Sequence, residues 1–197
     1  HPRDRRQRQM CIRDSLIINN ALNKKELKDL NNILDKLKNI KNDEWAGHVH
    51  GHNYGGKEGL NLQQIYEAGK PFEKLIDHPS WINHMLHFVG GKGTFDHLHG
   101  PLFIDENFAN IRGPGEAIGI HSGNPEGLQR NHYRYQNGKF HCSQVNILLA
   151  LTNIGPGDGG TVIIPSSHKS NIVHPEFKDN KMLKLSLIHI SEPTRRS

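Results

Sequence analysis

A glycine-rich segment, Gly155 to Gly160, has the G-x-G-x-x-G spacing that binds the pyrophosphate of a dinucleotide. That chemistry needs a helix directly after the glycines, because the helix N-terminus holds the phosphates. The chain continues instead with Thr161 to Pro165, a β-branched run that ends at proline and is typical of a strand. The segment therefore predicts a tight turn between two antiparallel strands and not a nucleotide site.

Three histidines alternate with other residues at positions His48, His50 and His52. In an extended chain this spacing would place the imidazoles on one side, where they could chelate a metal. The surrounding stretch, residues 41–59, is polar and Gly-rich and supplies no fourth ligand. We expect a solvated or substrate-facing loop here, with metal chelation as the alternative.

An arginine with aromatic neighbours precedes a hairpin signal further along the chain. Arg134 lies between Tyr133 and Tyr135, and it could hold a substrate carboxylate or phosphate through two parallel hydrogen bonds. Arginine and aromatic residues also cover the faces of ordinary hairpins. Arg134 is therefore a candidate substrate-binding residue, with hairpin packing as the alternative.

The elements that must position these residues change type along the chain. Asn23 followed by Glu26 predicts a helix N-terminus with a capping box, and apolar residues at helical spacing extend that helix to Leu37. Asn137-Gly138 predicts a two-residue hairpin turn. Helices followed by many short strands predict an α+β fold with an antiparallel jelly roll. The further predicted helices cover residues 62–68 and 71–89, and the predicted strands cover residues 102–104, 117–121, 132–135, 140–151 and 161–164.

The two ends of the chain differ in origin from the rest. Residues 10–15 can be encoded as ATG TGT ATA AGA GAC AG, and the reverse complement of that DNA translates as Leu-Ser-Leu-Ile-His-Ile, the sequence of residues 185–190. The string resembles the transposon end used in sequencing-library adapters. Residues 1–15 and 185–197 are therefore predicted to be adapter-like and are excluded from fold reasoning. We expect one partial domain over residues 16–184, cut short at its C-terminus.

Without these ends the composition excludes several classes of partner. The ends hold seven of the 25 basic and three of the 20 acidic residues, so the net charge falls from +5 to +1 and nucleic acid is not indicated. Cys142 is then the only cysteine, which excludes an intrachain disulfide and favours a cytoplasmic location. Apolar runs such as residues 147–149 are too short to cross a membrane. The predicted partner is a small-molecule substrate, and the oligomeric state is not readable.

The region around the glycine turn resembles a known family. Residues 146–154, the turn and residues 161–171 are similar to the phytanoyl-CoA dioxygenase family, in which a strand and a glycine-rich turn lead into a V-I-P-G-S-H-K-S segment. Ser166 stands where that family usually has glycine. Residues 16–37 and 72–79 also fit its N-terminal helices. The resemblance implies N-terminal helices followed by a truncated double-stranded β-helix (a cupin-like jelly roll), with non-haem Fe(II) and 2-oxoglutarate as cofactors.

The resemblance also implies where iron would bind. The first ligand pair of the family is His-x-Asp on a strand, and His121-Ser122-Gly123 occupies that place without the carboxylate. Glu126 could supply a carboxylate from the following loop, a halide or water could fill the position as in related halogenases, or the site could bind no iron. A hydrogen-bonded barrel histidine is the structural alternative for His121.

Other cofactor contacts follow from the same resemblance. The distal histidine and the arginine that binds 2-oxoglutarate are expected beyond residue 184, and His168 is interpreted as structural. Gln144 and Asn146 share one face of the predicted strand 140–151, where two amides are awkward in an apolar core. They are expected on the 2-oxoglutarate side of the barrel, with hydrogen-bonded core amides as the alternative.

These expectations together imply a fragment of an Fe(II)/2-oxoglutarate-dependent dioxygenase that hydroxylates a small organic substrate, with His121 and Glu126 as metal ligands. We expect the fragment itself to be inactive. The alternatives are a non-catalytic jelly-roll binding module that has lost its metal carboxylate, and an iron-dependent halogenase with Gly123 in place of the ligand aspartate. The substrate cannot be read from the sequence.

Overall fold

The computed structural model describes residues 15–54, 58–89, 100–116, 133–155, 158–164 and 166–169. The first helix, α1, spans Lys24–Leu37 and begins at the predicted capping box. The Asn23 side chain accepts hydrogen bonds from the backbone N–H groups of Lys25 and Glu26, and the Glu26 carboxylate accepts one from Asn23 N–H at 2.7 Å. Three N–H groups that helical hydrogen bonds leave unpaired thus have partners, which fixes where the helix begins.

Strands replace the predicted loop and helix that follow α1. The prediction of a loop over residues 41–59 and of a helix over residues 62–68 is wrong, because alternating apolar and polar side chains there allow one buried face. A 3₁₀ helix, Ile65–Ala68, is the one helical part of the second segment. The strands are β1, Trp45–Ala46, then β2, Val49–His52, and β3, Leu60–Gln63.

Two short helices stand where one long helix over residues 71–89 was predicted. They are α2, Lys70–Glu73, and α3, Ile82–Phe88. Pro71 lies in the first turn of α2, where the missing N–H is tolerated. Pro79 disfavours helical geometry at the residue before it, which accounts for the break between the two helices.

An antiparallel sheet is formed by the order β1-β2-β3-β4, in which β4 is Phe108–Ile111. The sequence predicted a strand at residues 102–104 instead, and that segment is irregular. Residues of the four strands lie opposite one another in two rows on one face of the sheet. One row is Trp45, His50, Gln63 and Phe108, and the other is His52, Asn61 and Asn110.

The opposite face of the sheet packs into the hydrophobic core. Leu30 of α1 joins Val49 and Leu62 there, and each of these three side chains is at most 1% exposed. Gly51 of β2 has no room for a side chain, because a Cβ atom would lie 2.6 Å from Ile40 Cγ2. The remaining buried apolar residues of the core are Ile65, Phe72, Leu75 and Trp81.

The chain divides into two compact units, residues 18–132 with 142–151 and residues 1–17 with 133–141 and 152–197. The first unit contains the four-stranded sheet. The second contains a hairpin of β5, Arg134–Gln136, and β6, Lys139–His141. Asn137 and Gly138 join these strands with φ angles of 52° and 76°, which confirms the predicted turn.

Two predicted strands are not formed as expected. Of residues 140–151 only the part within β6 is a strand, and residues 161–164 are irregular. A strand needs a neighbour to pair with, and neither segment has one among the residues that the structure describes. The Asp158 carboxylate accepts a hydrogen bond from Gly155 N–H at 2.7 Å, but the described residues on either side do not form the two antiparallel strands that the predicted turn was to join.

The fold is α+β, with helices and antiparallel strands. None of the helices in the described ranges is long and apolar enough to cross a membrane. The predicted boundaries at residues 16 and 184 stay predictions, since residues 1–14 and 170–197 lie outside those ranges.

Candidate functional site

The four-stranded sheet has one face that is rich in polar and aromatic side chains, and we call it the polar face. The register brings its side chains together from residues far apart in sequence. Helices and the core cover the other face, so groups available to a ligand are concentrated here. The polar face comprises Trp45, His50, His52, Asn61, Gln63, Phe108 and Asn110.

Two imidazoles of the polar face share one carboxylate. His50 Nε2 and His52 Nδ1 each lie 3.8 Å from Asp43 Oδ1. The imidazole of His50 stacks on Trp45 with ring centroids 4.5 Å apart, and His52 meets the edge of Tyr54 at 4.3 Å. The result is a continuous row of rings beside an exposed carboxylate, suited to contact a flat or cationic group.

A chain of hydrogen bonds continues from the ring row. Gln63 Nε2 donates to the Tyr54 hydroxyl at 2.6 Å, and that hydroxyl donates to Glu106 Oε1 at 3.4 Å. Burial raises the pKa of Tyr54, and the neighbouring Glu106 carboxylate raises it further. The Tyr54 hydroxyl therefore stays protonated at neutral pH and serves as a hydrogen-bond donor.

The second row of the polar face ends at a buried pair of amides. Asn61 is 1% exposed, and Asn110 is partly buried. Asn110 Nδ2 donates to Asn61 Oδ1 at 2.9 Å and to the backbone carbonyl of Glu58 at 3.0 Å. Among the residues that the structure describes, Asn61 Nδ2 and Asn110 Oδ1 have no hydrogen-bond partner. A donor and an acceptor are thus left available at the buried end of the row.

Comparison with known proteins shows the family of the chain. A family model described as phytanoyl-CoA dioxygenase (PhyH) matches residues 15–186. The chain belongs to the phytanoyl-CoA dioxygenase family. Neither the curated proteins nor the solved structures include a significant match to the chain. Family membership confirms the resemblance carried by the glycine turn and the His-Lys segment.

The metal ligands predicted for this phytanoyl-CoA dioxygenase family member, His121 and Glu126, lie outside the described residues. Within the described ranges no group of three His, Cys, Asp or Glu side chains is arranged to hold a metal ion. His50, His52 and Asp43 are near one another but do not form such a group. The assignment of His121 and Glu126 as iron ligands therefore stays a prediction.

The amides predicted to bind 2-oxoglutarate lie in an irregular segment. Gln144 Nε2 donates to Asp105 Oδ2 at 3.3 Å, and Asp105 directly precedes the Glu106 carboxylate that contacts Tyr54. Asn146 is exposed, and the two amides do not share a strand face because no strand forms there. Their cofactor role stays a prediction.

The predicted substrate-binding residue Arg134 is exposed on β5, in the unit that also contains the hairpin turn. Its role stays a prediction. His168, interpreted as structural, meets the edge of the Tyr133 ring with centroids 4.6 Å apart. Cys142 is partly buried, and its Sγ lies 3.3 Å from the Gln144 carbonyl oxygen.

Sequence reasoning missed most of the polar face, although the signal was present. The histidines of β2 were assigned to a loop because glycines surround them, yet they alternate with the buried Val49 and Gly51. Asn61 and Gln63 alternate in the same way with leucines of β3, and that segment was assigned to a helix. Period-two alternation in each four-residue run is the signal for a strand with these residues on one face, although it does not report which strands pair.

Proposed function

We propose that this chain derives from an Fe(II)- and 2-oxoglutarate-dependent oxygenase that hydroxylates a small organic substrate, with the polar face on the substrate side of a jelly-roll chamber. The observation that carries the proposal is the family match over residues 15–186. Members of that family are Fe(II)/2-oxoglutarate-type oxygenases. A cytoplasmic location is part of the proposal and rests on the single cysteine of the trimmed sequence.

The sheet supports this assignment of the polar face. An antiparallel sheet with one face packed on a core usually has the other face in water, and such a face is mostly charged or simply polar. Here the second face instead has a row of rings next to a buried amide pair. Apolar and aromatic surface with a few directed polar groups is the usual lining of a small-molecule site.

Each residue has a distinct role in the proposal. His121 and Glu126 would hold the iron, which with 2-oxoglutarate supplies the oxygen chemistry of the family. Gln144, whose amide now donates to Asp105, would contact 2-oxoglutarate. Asn146 would assist Gln144, and Arg134 would bind an anionic group of the substrate. The rings of Trp45 and His50 would pack against the substrate.

Gly123 favours a second candidate function. It stands where the family pattern has the ligand aspartate, and a vacant position can hold chloride, as a halogenase requires. In that case restoring the carboxylate with Gly123→Asp abolishes chlorination. If Glu126 is the ligand of a hydroxylase, Gly123→Asp preserves or strengthens iron binding, whereas Glu126→Ala removes it.

Anaerobic Fe(II) titration by calorimetry, with and without 2-oxoglutarate and chloride, tests the proposal. It is run on this chain and on the product of its uninterrupted open reading frame, since the native sequence is expected to continue past Lys184. His121→Ala should abolish iron binding. His87→Ala, which alters an exposed histidine of α3, is the matched control and should leave binding unchanged.

Succinate formation in the same samples completes the test. The open-reading-frame product should form succinate in proportion to added Fe(II), and this chain alone should form none. Absence of iron binding in both proteins would overturn the oxygenase proposal and leave the non-catalytic binding module. Iron binding that survives His121→Ala would overturn the ligand assignment.

A further inference from the structure

The hydrogen-bond network fixes the orientation of both amides at the buried end of the polar face. The backbone carbonyl of Glu58 can only accept, so the group of Asn110 that faces it at 3.0 Å must be the nitrogen. The second hydrogen of that nitrogen points to Asn61 at 2.9 Å, so the facing atom of Asn61 must be its oxygen. The unpartnered atoms are therefore the Asn61 nitrogen, a donor, and the Asn110 oxygen, an acceptor.

Leaving these two atoms unpaired is unfavourable for the fold. Buried polar groups almost always have partners, and an unsatisfied donor or acceptor loses its hydration without compensation. The Asn110 nitrogen satisfies the Glu58 carbonyl and the Asn61 oxygen, but these bonds use neither the Asn61 nitrogen nor the Asn110 oxygen. The backbone pairing of the neighbouring strands does not use them either. A ligand that forms hydrogen bonds with both atoms would explain why asparagines occupy these positions.

The ligand group must match one free donor and one free acceptor on adjacent side chains. A carboxamide or lactam presents a carbonyl oxygen and an N–H side by side, so it can accept from Asn61 and donate to Asn110 at once. The polar face contains no lysine or arginine, and the carboxylates of Asp43 and Glu106 lie beside it, so it does not favour an anionic group. A carboxylate could accept from Asn61 but would face the Asn110 oxygen without a proton to donate.

We infer that Asn61 and Asn110 form a recognition subsite for a neutral carboxamide or lactam group of the substrate. The inference rests on the proposed function, because it takes the polar face as the substrate side of the chamber. The side chain of His52 is 34% exposed, Asn61 beside it is 1% exposed, and Asn110 on the other side of Asn61 is partly buried. The subsite is thus centred on the buried middle residue of the row, and a ligand reaches it through a local opening of the protein.

Three probes that share a phenyl ring and differ in the polar group test the inference on the full chain. Benzamide, benzyl alcohol and benzoate are titrated while the side-chain amide signals of asparagine are followed by NMR. Benzamide should shift the Asn61 and Asn110 signals in a saturable way, and the other two probes should bind about tenfold more weakly or not at all. Equal binding of benzyl alcohol or benzoate would overturn the assigned ligand class, and absence of benzamide binding would overturn the subsite.

The double variant Asn61→Leu/Asn110→Leu separates recognition from a structural role. If the amides are kept for a ligand, the variant should lose benzamide binding, followed through backbone amide signals of β3, while its thermal midpoint equals or exceeds that of Asn110→Leu alone, which already lacks the bond to the Glu58 carbonyl. If the Asn61 amide supports the fold, directly or through a bound water, the double variant should melt below Asn110→Leu, and that result would overturn the inference. Asn83→Leu, an exposed residue of α3, is the control and should leave benzamide binding unchanged.

Failure of the carboxamide subsite can be distinguished from failure of the proposed function, because benzamide binding is measured without iron or 2-oxoglutarate. Benzamide binding in a protein that never binds iron would support the subsite and reject the oxygenase. Iron and 2-oxoglutarate binding in a protein that does not bind benzamide would reject the subsite and leave the oxygenase proposal intact.

Discussion

The two faces of the four-stranded sheet differ in burial and in the pairing of their polar groups, although their residues alternate along the same strands. On the apolar face Val49 and Leu62 are at most 1% exposed and pack against α1. On the polar face the side chains form a ring row and an amide pair with two unpartnered atoms. The first face is organised for stability, and the second retains groups that stability alone does not favour. Such groups in a packed region are expected at functional sites.

Neighbouring residues of β2 provide the sharpest test of this contrast. Val49→Asn buries an unpaired amide in the core and removes apolar contacts, so it should lower the free energy of unfolding by about 3 kcal/mol. His50→Asn places the same side chain on the polar face, where the histidine is already 23% exposed, and should change it by no more than about 0.5 kcal/mol. Urea denaturation measures both. Equal losses would mean that the two faces do not differ in their contribution to stability.

Gly51 tests how tightly the apolar face is covered. A Cβ atom at this position would lie 2.6 Å from both Ile40 Cγ2 and the Lys41 carbonyl oxygen, so Gly51→Ala should destabilise the fold by about 1–3 kcal/mol. Gly113→Ala is the matched control, since a Cβ atom there would lie 3.5 Å from its nearest neighbour, Oε2 of the flexible Glu116 side chain. Urea denaturation of the two variants should separate them clearly. A neutral Gly51→Ala would show that the loop over this face is loosely packed.

The smallest predicted effect on stability concerns Glu26, at the start of the helix that covers the apolar face. Its hydrogen bond to the Asn23 backbone holds the pKa of the Glu26 carboxyl below its ordinary value of 4.5, and His78 lowers it further. Because the folded-state pKa is the lower one, this stabilisation is present above about pH 4.5 and is lost as the pH falls through the folded-state pKa.

Glu26→Gln imitates the protonated carboxyl and should lower the free energy of unfolding by about 0.3–1 kcal/mol at pH 7. The difference from the unaltered chain should shrink as the pH falls below 4.5. Denaturation curves over a pH series measure it, with the exposed Glu73→Gln as control. A difference that is constant with pH would contradict the carboxylate as its source.

The sequence predicted local features well where one short-range interaction decides the structure. The capping box at Asn23 and the Asn137-Gly138 turn are of this kind, because each is set by a few adjacent residues. The family was also predicted, from the glycine turn and the His-Lys segment, and is confirmed. Both cases depend on residues that are close together in the chain.

The sheet was not predicted, because its strands are four residues or fewer and they form only by pairing with segments that are distant in sequence. Asn61 is a site residue only because β3 lies between β2 and β4, and no pattern around Asn61 reports that pairing. The leucines on either side of Asn61 fit a helix as well as a strand, and long-range pairing decided between them. The predicted metal ligands His121 and Glu126 stay predictions.

Paramagnetic NMR tests most directly the central claim that the polar face lines the metal chamber. Mn(II) is used in place of Fe(II), and its relaxation effect on nearby nuclei falls steeply with distance. We predict that Mn(II) broadens the side-chain amide signals of Asn61 and Asn110 well before the methyl signals of Val49 and Leu62, and that His121→Ala removes the effect. Broadening that is equal on both faces, or that persists in His121→Ala, would contradict the account.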